Sequence, residues 1–346
     1  MIRVLIVEDS PTARLLLTRL LESDPGIEVV GTANDGEEGV ARALELRPDL
    51  ITMDIRMPRV DGLEATRRIM EQAPTPIVVV SASVDTADLP FTFNAIEAGA
   101  LEVLEKPSNY GSPNFEALCE RLVTTVKLMA EVKVVRRRAR PPTGTLPGYT
   151  FDRLHTRPPA LLVVGASTGG PTALATVLKA LPNDFALPML VVQHIAAGFL
   201  PGLVSWLQTA SALPLKVAAE GESILPGQVY FAPEDRHLVV LARGMLGTNP
   251  AAPVSHVRPS ATVLFKSAAQ VYGAEVAGLL LTGMGDDGAA GLKAIHDMGG
   301  PTVAQDEATS VVYGMPKVAA ELGAVDHIVP LDKIAASLVA LAHSGH

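Results

Sequence analysis

The sequence has one cysteine, Cys119, among 346 residues. Neither an intramolecular disulfide nor a cysteine-based zinc cluster can form. Aromatic residues are also scarce, at 4%, which argues against a stacking platform for single-stranded nucleic acid. Basic residues are outnumbered, 28 Lys and Arg against 37 Asp and Glu, for a formal net charge of −9. A duplex-DNA binder needs a basic face, so nucleic acid is not an expected partner. No apolar run reaches the ~18 residues of a membrane span. The opening stretch Met1 to Asp9 is too short, and meets carboxylates too early, to read as a signal peptide. These absences predict a soluble, cytoplasmic protein with no membrane insertion.

What the sequence does have is apolar material for two cores. The hydrophobic fraction is 48% and the mean hydropathy is +0.29, and the length suits two domains. Short apolar runs alternate with segments of helical period. In the first 130 residues the predicted strands are Arg3–Val7, Glu28–Thr32, Leu50–Met53, Ile77–Ser81 and Leu101–Leu104. Amphipathic stretches at Pro11–Glu22, Glu37–Leu46 and Gly62–Gln72 lie between them, and a last helix is expected from about Asn114 to about Val135. This alternation predicts an α/β domain with a doubly wound parallel sheet. Lys133 to Gly148 is basic, rich in Pro and Gly, and aperiodic. It reads as a linker, taken here as 131–158 between domains at 1–130 and 159–346. Its Arg136, Arg137, Arg138 and Arg140 form either a docking patch for an acidic partner or a solvated helix end.

From Ala160 the alternation restarts. Strands are expected at Leu161–Val164, Met189–Gln193, Val229–Ala232, Leu238–Leu241 and Gly278–Leu281. Helices are expected at Pro171–Leu181, Pro201–Ala210, Thr262–Tyr272 and Ala289–Asp297. This is a second doubly wound α/β domain, Rossmann-like in its alternation.

Three acids of the first domain, Glu8, Asp9 and Asp54, follow predicted strands. In an open parallel sheet those carboxyl ends line the ligand crevice. Carboxylates gathered there repel one another unless they hold a hard cation, and Mg²⁺ takes oxygen ligands. Ser81 ends the fourth strand and Lys106 follows the fifth. A hydroxyl and a cation facing three acids suit phosphoryl transfer to a carboxylate. The motifs Val7-Glu8-Asp9-Ser10, Met53-Asp54-Ile55-Arg56-Met57-Pro58 with Asp61-Gly62, Val80-Ser81-Ala82 and Glu105-Lys106-Pro107 resemble a response-regulator receiver domain, a flavodoxin-like fold, over about residues 1–125. The resemblance implies that Asp54 is the phosphoacceptor and that Glu8, Asp9, Asp54 and the Arg56 carbonyl carry Mg²⁺. It also implies that Ser81 and Lys106 contact the phosphoryl group. Val103 stands where the family often has an aromatic switch residue.

In the second domain Gly165-Ala-Ser167-Thr-Gly169 follows a strand and opens a helix. It fits Gly-x-Ser-x-Gly, the pattern of an exposed nucleophile. A phosphate-binding turn and a plain strand-to-helix turn remain alternatives. A serine nucleophile needs a base and an orienting acid. Of eight histidines, His343 and His346 lie at the terminus and His155 in the linker. His194 ends the run Leu190-Val191-Val192-Gln193, on the same sheet edge as Ser167 if the two strands are parallel neighbours. His237 and His256 are runners-up, expected in loops. The acid is expected in Leu281-Thr-Gly-Met284-Gly-Asp286-Asp287-Gly288, whose glycines free N–H groups for an oxyanion hole.

Gly165-Ala-Ser-Thr-Gly-Gly-Pro171, Gln193-His194, Arg258-Pro259-Ser260 and Leu281-Thr-Gly-Met-Gly-Asp-Asp-Gly-Ala289 resemble the catalytic domain of the CheB family of chemotaxis methylesterases. With the receiver, the match covers nearly the whole chain. The resemblance implies hydrolysis of glutamate γ-methyl esters on chemoreceptor cytoplasmic helices, deamidation of particular receptor glutamines, and a CheA-type histidine kinase as phosphodonor. It makes Ser167 the nucleophile, His194 the base and Asp287 the orienting acid. Met284 would supply an oxyanion N–H, Thr168 would line the site, and the esterase reaction would need no cofactor. A receiver-linked transcription factor is disfavoured because no basic recognition helix is evident. A binding protein whose serine is not catalytic is the other alternative.

Overall fold

The computed structural model describes residues 1–81, 89–107, 115–132, 134 and 158–343. The chain divides into two compact units, Met1–Thr143 and Gly144–His346. Most of the expected linker, with its four arginines, lies outside the described residues. So do His155, His346, Ala82 and both expected limits of the last helix of the first domain, Asn114 and Val135.

The first unit runs β1 (Ile2–Val7), α1 (Pro11–Leu21), β2 (Ile27–Ala33), α2 (Gly36–Leu46) and β3 (Leu50–Met53). It continues with α3 (Gly62–Gln72), β4 (Ile77–Ser81), α4 (Leu89–Ala98), β5 (Glu102–Glu105) and α5 (Phe115–Ala130). The five strands pair in parallel in the order β2-β1-β3-β4-β5. Strand order reverses between β1 and β3, which puts the carboxyl ends of both at the ligand crevice. Side chains cap the first three helices. Ser10 accepts the Ala13 N–H at 3.4 Å, Asp35 that of Glu38 at 2.9 Å and Asp61 that of Glu64 at 2.8 Å. Each satisfies one of the amide groups that a helix N-terminus leaves unpaired.

The second unit begins β6 (Leu161–Ala166), α6 (Gly170–Ala180), β7 (Met189–Gln193), α7 (Leu200–Ala210), β8 (Leu215–Val217) and β9 (Val229–Phe231). A hairpin, β10 (His237–Ala242) and β11 (Met245–Asn249), precedes α8 (Ala261–Tyr272). The chain then runs β12 (Val276–Leu280), α9 (Ala289–Asp297), β13 (Thr302–Gln305), α10 (Met315–Glu321), β14 (His327–Val329) and α11 (Leu331–His343). Seven parallel strands lie in the order β14-β13-β12-β6-β7-β9-β8. The switch of direction falls between β6 and β12.

Covering both faces of this sheet explains why its central strands are unbroken apolar runs. Leu161, Leu162, Val163 and Val164 are all fully buried, as are Leu190, Val191 and Val192. The face that includes Leu161, Val163, Leu190 and Val192 packs against Leu264, Phe265 and Ala268 of α8 and Leu292 and Ile295 of α9. One expected strand, Leu238–Leu241, departs from the parallel sheet: β10 pairs antiparallel with β11 alone. A turn through Gly244, whose φ is +75°, joins them. Among the described residues no helix is long and apolar enough to cross a membrane.

The single tryptophan, Trp206, lies on α7 of the second unit, so its fluorescence reports that unit. Phe265→Ala removes a ring that is 0% exposed and should cost ~3–5 kcal/mol. Urea unfolding followed by Trp206 fluorescence should show a correspondingly lower midpoint.

Candidate phosphoacceptor and hydrolytic sites

In the first unit, parallel register aligns the ends of four strands. Val7 pairs with Met53 and Ser81 with Glu105. Backbone bonds carry the alignment one residue further: Asp54 N–H donates to Val7 C=O at 2.9 Å, and Lys106 N–H to Ser81 C=O at 2.9 Å. Glu8, Asp9 and Asp54 therefore converge, each with a carboxylate oxygen within 4.8 Å of the others. Lys106 Nζ lies 2.7 Å from Glu8 Oε2 and 3.1 Å from Asp54 Oδ2. Glu8, Asp54, Ser81 and Lys106 are buried and Asp9 is exposed. Arg56 is exposed, two residues past Asp54.

Burial raises the Glu8 carboxyl above its usual range, and the neighbouring Asp54 adds to that. Burial likewise raises Asp54, against the pull of Lys106. Burial would lower Lys106, but Asp54 and Glu8 outweigh it and the ammonium is held above its usual value. One lysine against three carboxylates leaves negative charge uncompensated. The donor set is hard oxygen throughout, and it fits a divalent cation of the Mg²⁺ type.

The second cluster spans β12, β6 and β7, across the switch point. Ala166 pairs with Gln193 and Gly165 with Leu280. The next residues follow the register: His194 N–H donates to Ala166 C=O at 3.0 Å, and Ser167 N–H to Thr282 C=O at 3.1 Å. Gly169 caps α6 with φ +75°, a left-handed conformation that glycine adopts without strain. It turns the chain sharply after Ser167 and Thr168, which are both half-buried.

Asp287 and Asp286 separate cleanly. Asp286 is exposed, whereas Asp287 is buried. Asp287 Oδ2 lies 2.9 Å from His194 Nε2 and accepts the Ala261 N–H at 2.7 Å. Oδ1 accepts the Ser260 hydroxyl at 2.6 Å and the Thr262 N–H at 3.1 Å. The carboxylate thus sits on the N-terminus of α8, where unpaired amides and the helix dipole favour negative charge. Burial would raise its pKa, but His194, Ser260 and the Thr262 amide outweigh burial and hold it lowered to about 2. An ionised carboxylate only accepts, so His194 Nε2 carries the proton and Nδ1 is left as the basic nitrogen. Ser167 Oγ makes no hydrogen bond to His194 among the described residues; such bonds commonly tighten only when substrate binds.

The loop after β12 closes over the serine. A Cβ on Gly283 would lie 2.7 Å from Ser167 Cβ. The adjacent Met284 is exposed, and its N–H has no partner among the described residues. Thr282 Oγ1 donates to Thr168 C=O at 3.0 Å, tying the two loops. A recess of about 110 Å³ is bordered by Gln193, Ile195, Glu234 and Arg258.

Several supporting residues were not assigned from the sequence. The sequence signal for Ser260 is a serine directly before a helical period. Gln193 Nε2 donates to both the Ser167 and His194 carbonyls at 2.9 Å, bridging the two strand ends. No local pattern announces such a bridge. His237, expected in a loop, is the first residue of β10 and is fully buried, because the hairpin packs against α8. His256 does lie in an exposed turn.

Residues 162–338 match the family model for CheB methylesterase, and residues 4–112 match that for the response regulator receiver domain. The chain belongs to the CheB methylesterase family. It is 51% identical to a protein-glutamate methylesterase/protein-glutamine glutaminase of Myxococcus xanthus, over 97% of this chain and 96% of that protein. A protein of the same description from Geobacter metallireducens is 47% identical over 99% of each. The CheB methylesterase catalytic domain of Thermotoga maritima, a solved structure, is 38% identical with a TM-score of 0.52, covering 53% of this chain and 98% of that one.

The depressed Asp287 pKa sets a stability term. A carboxyl lowered from 3.8 to about 2 on folding contributes roughly 2 kcal/mol that is fully present above about pH 4 and is lost as pH falls through about 2. Asp287→Asn removes that dependence. Urea midpoints measured between about pH 5 and pH 2 should fall less steeply in the variant than in the native chain, by about that amount.

Proposed function

We propose that this chain is a phosphorylation-activated hydrolase of sensory adaptation. It removes methyl groups from glutamate γ-esters on the cytoplasmic helices of chemoreceptors and deamidates particular receptor glutamines. The observation that carries the reading is the His194–Asp287 pair, 2.9 Å apart on the strand end next to Ser167. The descriptions of the relatives name the two side-chain chemistries, a protein glutamate methyl ester and a protein glutamine.

The chemistry follows from that arrangement. Ser167 Oγ attacks the side-chain carbonyl carbon while His194 Nδ1 takes its proton. Asp287 holds the ring in the required tautomer and stabilises the imidazolium. The Met284 N–H stabilises the oxyanion of the tetrahedral intermediate, and Thr168 lines the site. His194 returns the proton to the leaving group, methanol from an ester or ammonia from an amide. Water then hydrolyses the acyl-serine by the same steps, leaving glutamate.

In the receiver, an Asp54 carboxylate oxygen attacks the phosphorus of a CheA-type kinase's phosphohistidine. The P–N bond breaks and an aspartyl phosphate forms. Glu8, Asp9, Asp54 and the Arg56 carbonyl would hold Mg²⁺, which when bound neutralises charge on the transferring group. Lys106 pairs with the phosphoryl oxygens and the Ser81 hydroxyl donates to one. Phosphorylation raises hydrolysis by the second unit. The hydrolytic steps use only the chain's own groups, and the protein works in the cytoplasm, where the receptor helices and the kinase meet.

Methanol release from methylated receptor membranes, with and without a small phosphodonor, tests the reading. Ser167→Ala should abolish both methanol and ammonia release. Asp54→Asn should keep the basal rate and lose the phosphodonor response, expected at ~5–150-fold. Ammonia release surviving in Ser167→Ala would separate the two reactions, and a phosphodonor response in Asp54→Asn would refute the phosphoacceptor.

A further inference from the structure

The fully buried His237 has both ring nitrogens engaged. Nδ1 accepts the Ser260 N–H at 3.1 Å, and Nε2 lies 3.1 Å from the Ala252 carbonyl oxygen. An amide N–H only donates and a carbonyl only accepts. The two partners therefore select the neutral ring with its proton on Nε2. Ser260 is held at both ends: its N–H by His237, and its Oγ on Asp287 at 2.6 Å. That hydroxyl also accepts the Val263 N–H at 3.4 Å, capping α8, and the next two amides donate to Asp287. His237 thus grips the residue from which the whole cradle of the Asp287 carboxylate starts.

We propose that His237 is a positioning residue for hydrolysis: by accepting the Ser260 N–H it sets the first turn of α8, and through Ser260 the carboxylate that orients His194. The proposal rests on the reading of Ser167, His194 and Asp287 as the catalytic set. His237 itself makes no hydrogen bond to any of the three among the described residues. An ordinary buried histidine would be judged by whether the unit folds. This one is judged by where its acceptor stands, because Asp287 has to be placed to within a fraction of an ångström to orient the imidazole.

Two polar substitutions in the full-length chain separate the roles. The carboxamide of His237→Asn reaches the Nδ1 position and can still accept from Ser260. That of His237→Gln reaches the Nε2 position and leaves the Ser260 N–H unpaired. His237→Asn should keep kcat for methanol release within about threefold, whereas His237→Gln should lower it ~10–100-fold with KM within about twofold. The Asp287 titration, followed by carboxyl-carbon NMR, should be unchanged in His237→Asn and raised in His237→Gln. Equal or reversed rankings in folded variants would overturn the proposal, as would an unchanged Asp287 titration in His237→Gln. If His237→Gln does not fold, a folded His237→Asn with a large kcat loss overturns it and a native-like one upholds it. Should Ser167→Ala keep its activity, the catalytic reading fails separately, and the Asp287 titration still decides whether His237 places that carboxylate.

Discussion

The second unit is organised around the burial of one negative charge. A carboxylate removed from water is costly unless its oxygens are hydrogen-bonded, and Asp287 meets that demand with donors from two elements. Two amides and a hydroxyl come from the start of α8, and the fourth donor is His194 at the end of β7. The four bonds use up the carboxylate's accepting capacity. They place the imidazole with one nitrogen committed and the other basic. The loop from Leu281 to Gly288 is fixed at the far end by the same bonds, and Gly288 N–H donates to Thr262 Oγ1 at 2.7 Å. Serine, histidine and acid thus come from three strand ends on both sides of the switch point, held together by hydrogen bonds and β register.

The receiver handles buried carboxylates in the opposite way. Glu8 and Asp54 face one another and share a single lysine, and burial raises both. Asp287 is stabilised as an anion, whereas the Glu8–Asp9–Asp54 cluster keeps charge that a cation can still neutralise. The first arrangement suits a permanent orienting acid. The second suits a carboxylate that must accept a phosphoryl group and later release it. Both rest on the same geometric fact: parallel strands deliver their next residues to one edge of the sheet.

That edge is what made so much of both sites legible. Fully buried parallel strands read as continuous apolar runs, and their ends point to Glu8, Asp54, Lys106, Ser167 and His194 without any knowledge of packing. The strands β8, β13 and β14 were not read: β8 and β14 are partly exposed edge strands without an unbroken apolar run, and β13 begins and ends on the polar residues Thr302 and Gln305. The helix α4 was missed as well; its sequence, Leu-Pro-Phe-Thr-Phe-Asn-Ala-Ile-Glu-Ala, has a proline in second place and a weak polar face. His237 was misplaced because the antiparallel hairpin breaks the alternation of strand and helix. Gln193 and Ser260 act through backbone groups distant in sequence, and only the folded chain shows which. The choice between Asp286 and Asp287 had no strong local signal either. Their separation follows from which side of the loop faces α8.

Site-specific labelling by a fluorophosphonate tests the central claim most directly, since the reagent reacts with a serine only when a neighbouring base activates it. Peptide mass spectrometry of the labelled full-length chain should find the adduct on Ser167. The labelling rate should collapse in His194→Ala and fall strongly in Asp287→Asn, and Asp286→Asn should label like the native chain. An adduct on another serine, or Ser167 labelling that is indifferent to His194 and Asp287, would contradict the account.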